Sequence, residues 1–170
     1  GLVDANTCIS YQTIEHRGAI PHSLREKIGD WVFGCDVCSE VCPWGHKAPD
    51  RSADWGRHSV LAEGLVSWVV RPDAFEQRFQ GSPLRRAGRA GLARNAALVL
   101  GNVPSDAGRV ALLRALREEP EAMVREAAAW ALARGHGQDA GVRTALEAAR
   151  GREPDPRWRS ELDLDLALGP

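Results

Sequence analysis

The run Cys35-x2-Cys38-x3-Cys42-Pro43, with Cys8 alone upstream, constrains this chain more than any other feature and contains all of its cysteines. Thiols three and four residues apart project from one side of a helical turn, which suits convergence on one inorganic centre better than pairing off. Four readings compete. Disulfides suit the even count but need an oxidising compartment, and the chain opens with no charged, apolar and cleavable export signal. Zinc sites usually take two separated Cys-x2-Cys knuckles, whereas here one knuckle is followed by a third cysteine and a proline. Unligated buried thiols are the plainest option. Iron–sulfur ligation fits best. The bacterial ferredoxin run ends in the same three cysteines and proline, and Cys8 would stand in for its first cysteine, brought in by the intervening segment. The candidate metal ligands are therefore Cys8, Cys35, Cys38 and Cys42.

Counting ligands sharpens the reading. In the ferredoxin arrangement the last cysteine serves the other cluster, which puts Cys8, Cys35 and Cys38 on one [4Fe-4S] cluster and Cys42 on a second. Two such clusters need twice the thiolates this chain supplies, so a matching cysteine-rich run is expected upstream of Gly1. The chain also enters mid-pattern on Gly rather than Met, as a piece of something longer would. The rival arrangement keeps all four cysteines on one cluster.

The composition changes near residue 55. Residues 1–55 hold every cysteine, Tyr11 and three of the six tryptophans, with many glycines and prolines and little periodicity. This is the pattern of a small domain held by something other than a large core. Residues 56–150 are rich in Ala, Leu and Arg at helical spacing. The spacing predicts helices over 21–31, 59–70, 72–80, 84–101, 107–118, 121–134 and 139–150, with a short helical turn over 35–42. The tail, 151–170, has Leu162, Leu164, Leu166 and Leu168 with which to dock or fray. Arg94-Asn95-Ala96-Ala97-Leu98 and Arg125-Glu126-Ala127-Ala128-Ala129 each open a small-residue helix, followed by a glycine-containing turn and a leucine-rich helix, offset by a little over thirty residues. Paired helices at that period point to stacked hairpins of the HEAT type. The expected fold is mainly α: a partial ferredoxin-like iron–sulfur segment (1–55), a HEAT-like repeat domain (56–150) and a C-terminal tail (151–170). No apolar run reaches the ~18 residues of a membrane span, and no membrane partner is expected.

Two sets of residues carry a family likeness. The first is Cys8-Ile9-Ser10-Tyr11-Gln12-Thr13-Ile14-Glu15-His16-Arg17-Gly18, Ile20-Pro21, and Gly34-Cys35-Asp36-Val37-Cys38-Ser39-Glu40-Val41-Cys42-Pro43-Trp44. The second is Phe79-Gln80-Gly81-Ser82-Pro83-Leu84, Arg94-Asn95-Ala96-Ala97, Leu100-Gly101-Asn102, and Val124-Arg125-Glu126 with Ala128-Ala129-Trp130-Ala131-Leu132. Together, over residues 1–135, they resemble epoxyqueuosine reductase. That resemblance implies a cytoplasmic, monomeric oxidoreductase with two [4Fe-4S] clusters and cobalamin. Such an enzyme removes the epoxide oxygen of epoxyqueuosine in the tRNA anticodon to give queuosine, and takes electrons from a donor protein. It implies the same division of the cysteines, and it places Ser10 and the Cys35-Asp36 turn near the cobalamin. The family's cobalamin domain and catalytic acid lie upstream, so no catalytic residue is expected here and the chain should not turn over alone. The family often has Trp-Asn where this chain has Trp44-Gly45.

The 22 basic and 23 acidic residues nearly cancel, so only local clustering speaks to nucleic acid. Between Gln77 and Ser105 there is no acid, but there are Arg78, Arg85, Arg86, Arg89 and Arg94. The expected anticodon stem-loop surface is Arg85, Arg86, Arg89 and Arg94 on phosphates, with Asn95 on a base or sugar edge. The plainer alternative is solvated arginines. Trp31, Phe33 and Trp44 are placed to seal the clusters or simply to form core. His16 and Arg17 either meet cofactor or tRNA or serve locally, and Glu15, Asp36 and Glu40 suit capping and orientation. The competing function is a non-enzymatic electron-transfer module fused to a helical-repeat interaction domain, with a zinc-bound structural domain behind it.

Overall fold

The structure, a computed structural model, describes residues 4–44 and 72–168. Among these residues there are helices and turns but no strand. The N-terminal segment is a series of short pieces: a 3-10 turn at Ala5–Thr7, a π-helical turn at Tyr11–Glu15, α1 at His22–Arg25 continuing as a 3-10 turn at Glu26–Ile28, and α2 at Val37–Glu40. The body is α3 (Pro72–Arg78), a 3-10 turn at Pro83–Ala87, α4 (Gly88–Asn102), α5 (Asp106–Glu118), α6 (Ala122–His136), α7 (Ala140–Arg152) and α8 (Pro156–Leu168).

Composition explains the layering. In α4 everything from Gly91 to Gly101 is buried, and in α6 everything from Glu126 to Ala133. A helix with no polar stripe has to lie inside, and α6 packs on α4, α5, α7 and α8. By contrast α5 and α7 bury only single stripes, Ala111-Leu112-Ala115-Leu116 and Val142-Leu146-Ala149, and form the outer layer. Small residues set the spacing. A Cβ added at Gly101 would lie 2.7 Å from the Ala131 Cα and 2.9 Å from Trp130 Cζ3, so α4 and α6 approach almost backbone to backbone.

The hairpins repeat in their caps as well. Ser105 Oγ accepts from Gly108 N (3.1 Å) at the start of α5, and Asp139 Oδ1 accepts from Gly141 N (2.7 Å) and Val142 N (3.2 Å) at the start of α7. Each satisfies amides that the first helical turn leaves without partners. Arg89 of α4 reaches Glu119 beyond α5, and Arg125 of α6 reaches Glu153 beyond α7 in the same way. The HEAT-like arrangement expected from the sequence is thus present as α4/α5 and α6/α7.

The tail docks rather than frays. α8 lies against α6 with Trp158 and Leu162 each 2% exposed, while Leu164 points outward. The expected boundary at residue 150 falls inside α7. The expected helix over 21–31 is broken instead at Gly29, whose φ of 59° ends the Glu26–Ile28 turn. The helix expected over 59–70 lies outside the described residues.

Candidate metal centre

The cysteines sit at or beside short elements: Cys8 ends the first 3-10 turn, Cys35 precedes α2, Cys38 lies within it and Cys42 follows it. Asp4 Oδ1 accepts from Asn6 N (3.0 Å) to start the first 3-10 turn, and Cys8 closes that turn through Cys8 N to Ala5 O (3.1 Å). Gly34, at φ 74°, makes the bend into Cys35, a conformation that a side chain would strain. Cys38 is exposed on α2, and Cys42 follows it, donating Cys42 N to Ser39 O (3.3 Å). Cys8, Cys35 and Cys42 are half-buried, and all four thiols are free of disulfides. No three His, Cys, Asp or Glu side chains among the described residues gather around one point suited to a single ion. A mononuclear zinc site would need its sulfurs drawn to ~2.3 Å of one centre. Iron–sulfur clusters, ligated through separate iron atoms, take all-thiolate sets, which is what this segment offers.

The helical body grips this segment with the residues expected to face RNA. Arg94 is 1% exposed and Asn95 is fully buried, so neither reaches a nucleic acid from this position, correcting that expectation. The Arg94 guanidinium instead donates to Gln12 O (2.7 Å), His16 O (3.0 Å), Gly18 O and Asn95 Oδ1 (2.9 Å). Asn95 Nδ2 donates to Thr13 O (2.7 Å) and Val32 O (2.9 Å). Thr13 Oγ1 donates to Ile9 O (2.8 Å) and accepts from Gly34 N (2.9 Å), joining the stretch after Cys8 to the stretch before Cys35. One α4 turn pair further on, Asn102 Nδ2 donates to Arg25 O and Gly29 O, both at 3.0 Å. Burial, and after it the charge of Arg17, lowers the Arg94 pKa to about 10. Arg94 is therefore still cationic at neutral pH.

The remaining arginines are not bare cations. Carboxylates absent from their stretch of sequence arrive from elsewhere in the fold: Arg85 pairs with Glu76 (2.7 Å), Arg86 with Glu15 (2.6 Å) and Arg89 with both oxygens of Glu119 (2.6 and 2.9 Å). The side chains of Arg85 and Arg86 are 50% and 70% exposed, whereas Arg89 is 15% exposed over a Glu119 at 1%. Arg89 is thus a structural pair, and of the expected phosphate-facing arginines only Arg85 and Arg86, each paired at the surface, stay exposed. Surface pairs such as theirs are worth only ~0–1 kcal/mol, so a phosphate can displace the carboxylates. Arg17 spends its guanidinium on Ala87 O and Arg86 O (both 2.8 Å), and His16 Nε2 bonds Ala19 O (3.0 Å). Both serve locally. Ser10 is half-buried, and Asp36 begins α2 with its carboxylate exposed and capping nothing. Trp31 and Phe33 pack on the core, while Trp44 is exposed.

A second polar junction went unread in the sequence. Arg25, buried at 2%, donates to Ile20 O (2.9 Å), Glu161 Oε2 (2.7 Å) and Glu126 Oε1. Arg157 bonds Glu126 Oε2 (2.9 Å) and Glu161 Oε1 (3.0 Å). This ties the N-terminal segment to α6 and α8 at once. Burial raises the Glu126 pKa against the pull of Arg25. Burial also acts to raise Glu161, but its bond with Glu126 and the charges of Arg25 and Arg157 outweigh it, and Glu161 falls below the ordinary carboxylate range. The only local hint was a glutamate, Glu126, at an interior position of an otherwise apolar helix.

The cysteine set and the hairpin stack together define an iron–sulfur segment carried on a helical-repeat body. A family profile described as a 4Fe-4S double cluster binding domain matches residues 1–45. The chain is 49% identical over 139 residues to an epoxyqueuosine reductase of Pseudomonas aeruginosa, which covers 80% of this chain and 38% of that protein. It is 41% identical over 140 residues to one from Xanthomonas campestris pv. campestris, covering 79% and 39%. Its fold matches a solved epoxyqueuosine reductase from Bacillus subtilis with a TM-score of 0.82 at 25% identity, over all of this chain and 46% of that one. It matches equally, over 99% and 45%, an epoxyqueuosine reductase crystallised with an epoxyqueuosine-modified tRNA-Tyr stem loop. The chain is thus a relative of the epoxyqueuosine reductases, as its motifs indicated. It spans less than half the length of those relatives.

Proposed function

We propose that this chain is the iron–sulfur and helical-repeat part of an epoxyqueuosine reductase, acting on epoxyqueuosine in the tRNA anticodon to give queuosine. The single observation that carries this reading is the set of four free thiols, Cys8, Cys35, Cys38 and Cys42, within a stretch matching a double-cluster domain. In this reading Cys8, Cys35 and Cys38 ligate one [4Fe-4S] cluster and Cys42 the other. Removing an epoxide oxygen as water consumes a pair of electrons and a pair of protons. Bound clusters pass electrons singly, and bound cobalamin supplies the redox chemistry at the substrate. The residues of this chain bind and orient. The thiolates fix the clusters, the aromatic rings of Trp31 and Phe33 keep water from the segment's inner side, and Ser10 and the free Asp36 carboxylate offer polar contacts to the cobalamin. Arg85 and Arg86 hold the anticodon stem by its phosphates, since enzymes acting on a loop base grip the backbone and splay the base outward.

The electron donor is a separate protein, the working form is a monomer, and the setting is the cytoplasm, where thiolates stay reduced. No described helix is long and apolar enough to cross a membrane. The test uses the longer native protein, purified without oxygen. Expected are a brown chromophore, iron and sulfide in proportion to two clusters, and conversion of epoxyqueuosine to queuosine in tRNA, read by nucleoside mass spectrometry. A colourless, iron-free protein under those conditions overturns the proposal.

A further inference from the structure

We infer that Arg94 and Asn95 are positioning residues for the iron–sulfur centre, a role that rests on the ligation proposed above. The argument begins with what the pair touches. Asn95 places its two amide hydrogens on one carbonyl from each ligand-bearing stretch, Thr13 O downstream of Cys8 and Val32 O upstream of Cys35. Its oxygen accepts from Arg94, which fixes the amide's orientation. Arg94 spreads its fork over Gln12 O, His16 O and Gly18 O, the backbone that leads away from Cys8. The Gly34 N–H, donating to Thr13 Oγ1, closes the circuit one residue before Cys35.

This circuit fixes the distance between two thiolate-bearing segments built of short helical turns. The bonds within these short turns hold each segment but not one to the other, so the separation of Cys8 from Cys35 is set by what both segments are bonded to. Both are bonded to the same α4 turn. The pair is buried to 1% exposure or less, where hydrogen bonds to a charged donor are strong and leaving a carbonyl unpaired is costly. A shift of either segment breaks several such bonds at once. Arg94 adds a fixed positive charge in a low-dielectric setting beside this segment. Reduction adds one negative charge to a cluster, so a nearby buried cation favours the reduced state and raises the midpoint potential.

The experiment measures the clusters' midpoint potentials and the electron paramagnetic resonance of the dithionite-reduced, anaerobically purified longer native protein. Arg94→Lys keeps the charge but offers no planar fork for four acceptors. It is expected to change the resonance line shape while leaving the potential close to wild type. Arg94→Gln removes the charge and is expected to shift the potential of one cluster to more negative values. Asn95→Asp keeps the acceptor for Arg94 and loses both donors, and should alter the line shape and speed iron loss in air. Gly101→Ala strains the α4–α6 contact without touching the circuit, and serves as the control for lost stability alone. If the Arg94 and Asn95 variants retain full iron with wild-type potentials and spectra, or if Gly101→Ala shifts them as much, the pair is only domain glue and the inference fails. A wild-type protein without clusters removes the ligation reading and this one together, whereas a chromophore with unmoved potentials removes this one alone.

Discussion

Arg86 and Arg89 lie within one stretch of chain and both are paired, yet their surroundings give them different work. Arg86 is 70% exposed beside a half-open Glu15, and Arg89 forks onto a Glu119 that is 1% exposed. Replacing Arg85 and Arg86 with Ala should weaken tRNA binding and reduce the slope of log affinity against log salt by roughly one per lost phosphate contact. Filter binding across a salt series measures it, and an unchanged slope would remove them from the interface. Arg89→Ala should act on folding instead. It leaves a buried carboxylate uncompensated, a loss of about 3 kcal/mol by comparison with other broken buried pairs, readable by urea denaturation. Among the cysteines, each Cys→Ser change at 8, 35 or 38 should remove visible absorption from one cluster, and the change at 42 from the other. A quantitative iron assay on each variant checks that division.

Helices α4 and α6 were legible because their interiors are dominated by small and apolar residues, interrupted by Arg94, Asn95 and Glu126, and α5 and α7 because their apolar residues recur at helical spacing. Their contact is more demanding than either pattern. With the Ala131 Cα 2.7 Å from any Cβ at 101, Gly101→Ala forces two backbones apart. A loss of ~1–3 kcal/mol is expected, the range for overpacking a well-filled core, measured as a drop in urea midpoint with the far-ultraviolet helical signal retained. The N-terminal elements were less legible. Over 21–31 the apolar spacing of Leu24, Ile28 and Trp31 reads as continuous helix, but the chain turns at Gly29. The bend holds because Asn102, on another helix, bonds the Gly29 and Arg25 carbonyls. That compensation is invisible to any local pattern.

At the scale of the whole molecule, the two most buried polar junctions binding the cysteine segment to the repeats are Arg94-Asn95 on α4 and Arg25 with Glu126, Glu161 and Arg157. The second carries a pH signature. Glu161 has a folded pKa below its unfolded value, so its contribution is fully present above about pH 5 and fades as pH falls through the lowered value. The stability gap between wild type and Glu161→Gln should therefore be widest near neutrality and narrow below about pH 4, followed by denaturation at a series of pH values. Glu126, raised by burial, has the opposite slope and partly offsets it in the parent. Removing the clusters by oxidation should loosen residues 4–44 while α4 to α8 keep their amide protection, since metal and local fold are coupled in ligand-poor segments. Hydrogen exchange mapped by mass spectrometry reads both regions at once.

The sequence by itself determined the chemistry of the donor set and the helical body. Thiolates at ferredoxin spacing admit few centres, and helical periodicity with small residues admits few packings. It misassigned Arg94 and Asn95, and left Arg25, Glu126 and Glu161 unread, because the use of a polar side chain depends on which distant carbonyls and carboxylates the fold brings within ~3 Å. Thr13 and Val32 lie far from Asn95 along the chain, as Glu15 does from Arg86. Only the docking of the short-turned segment against α4 decided that the same α4 motif holds the cysteine-bearing loops from inside the protein, out of reach of any nucleic acid.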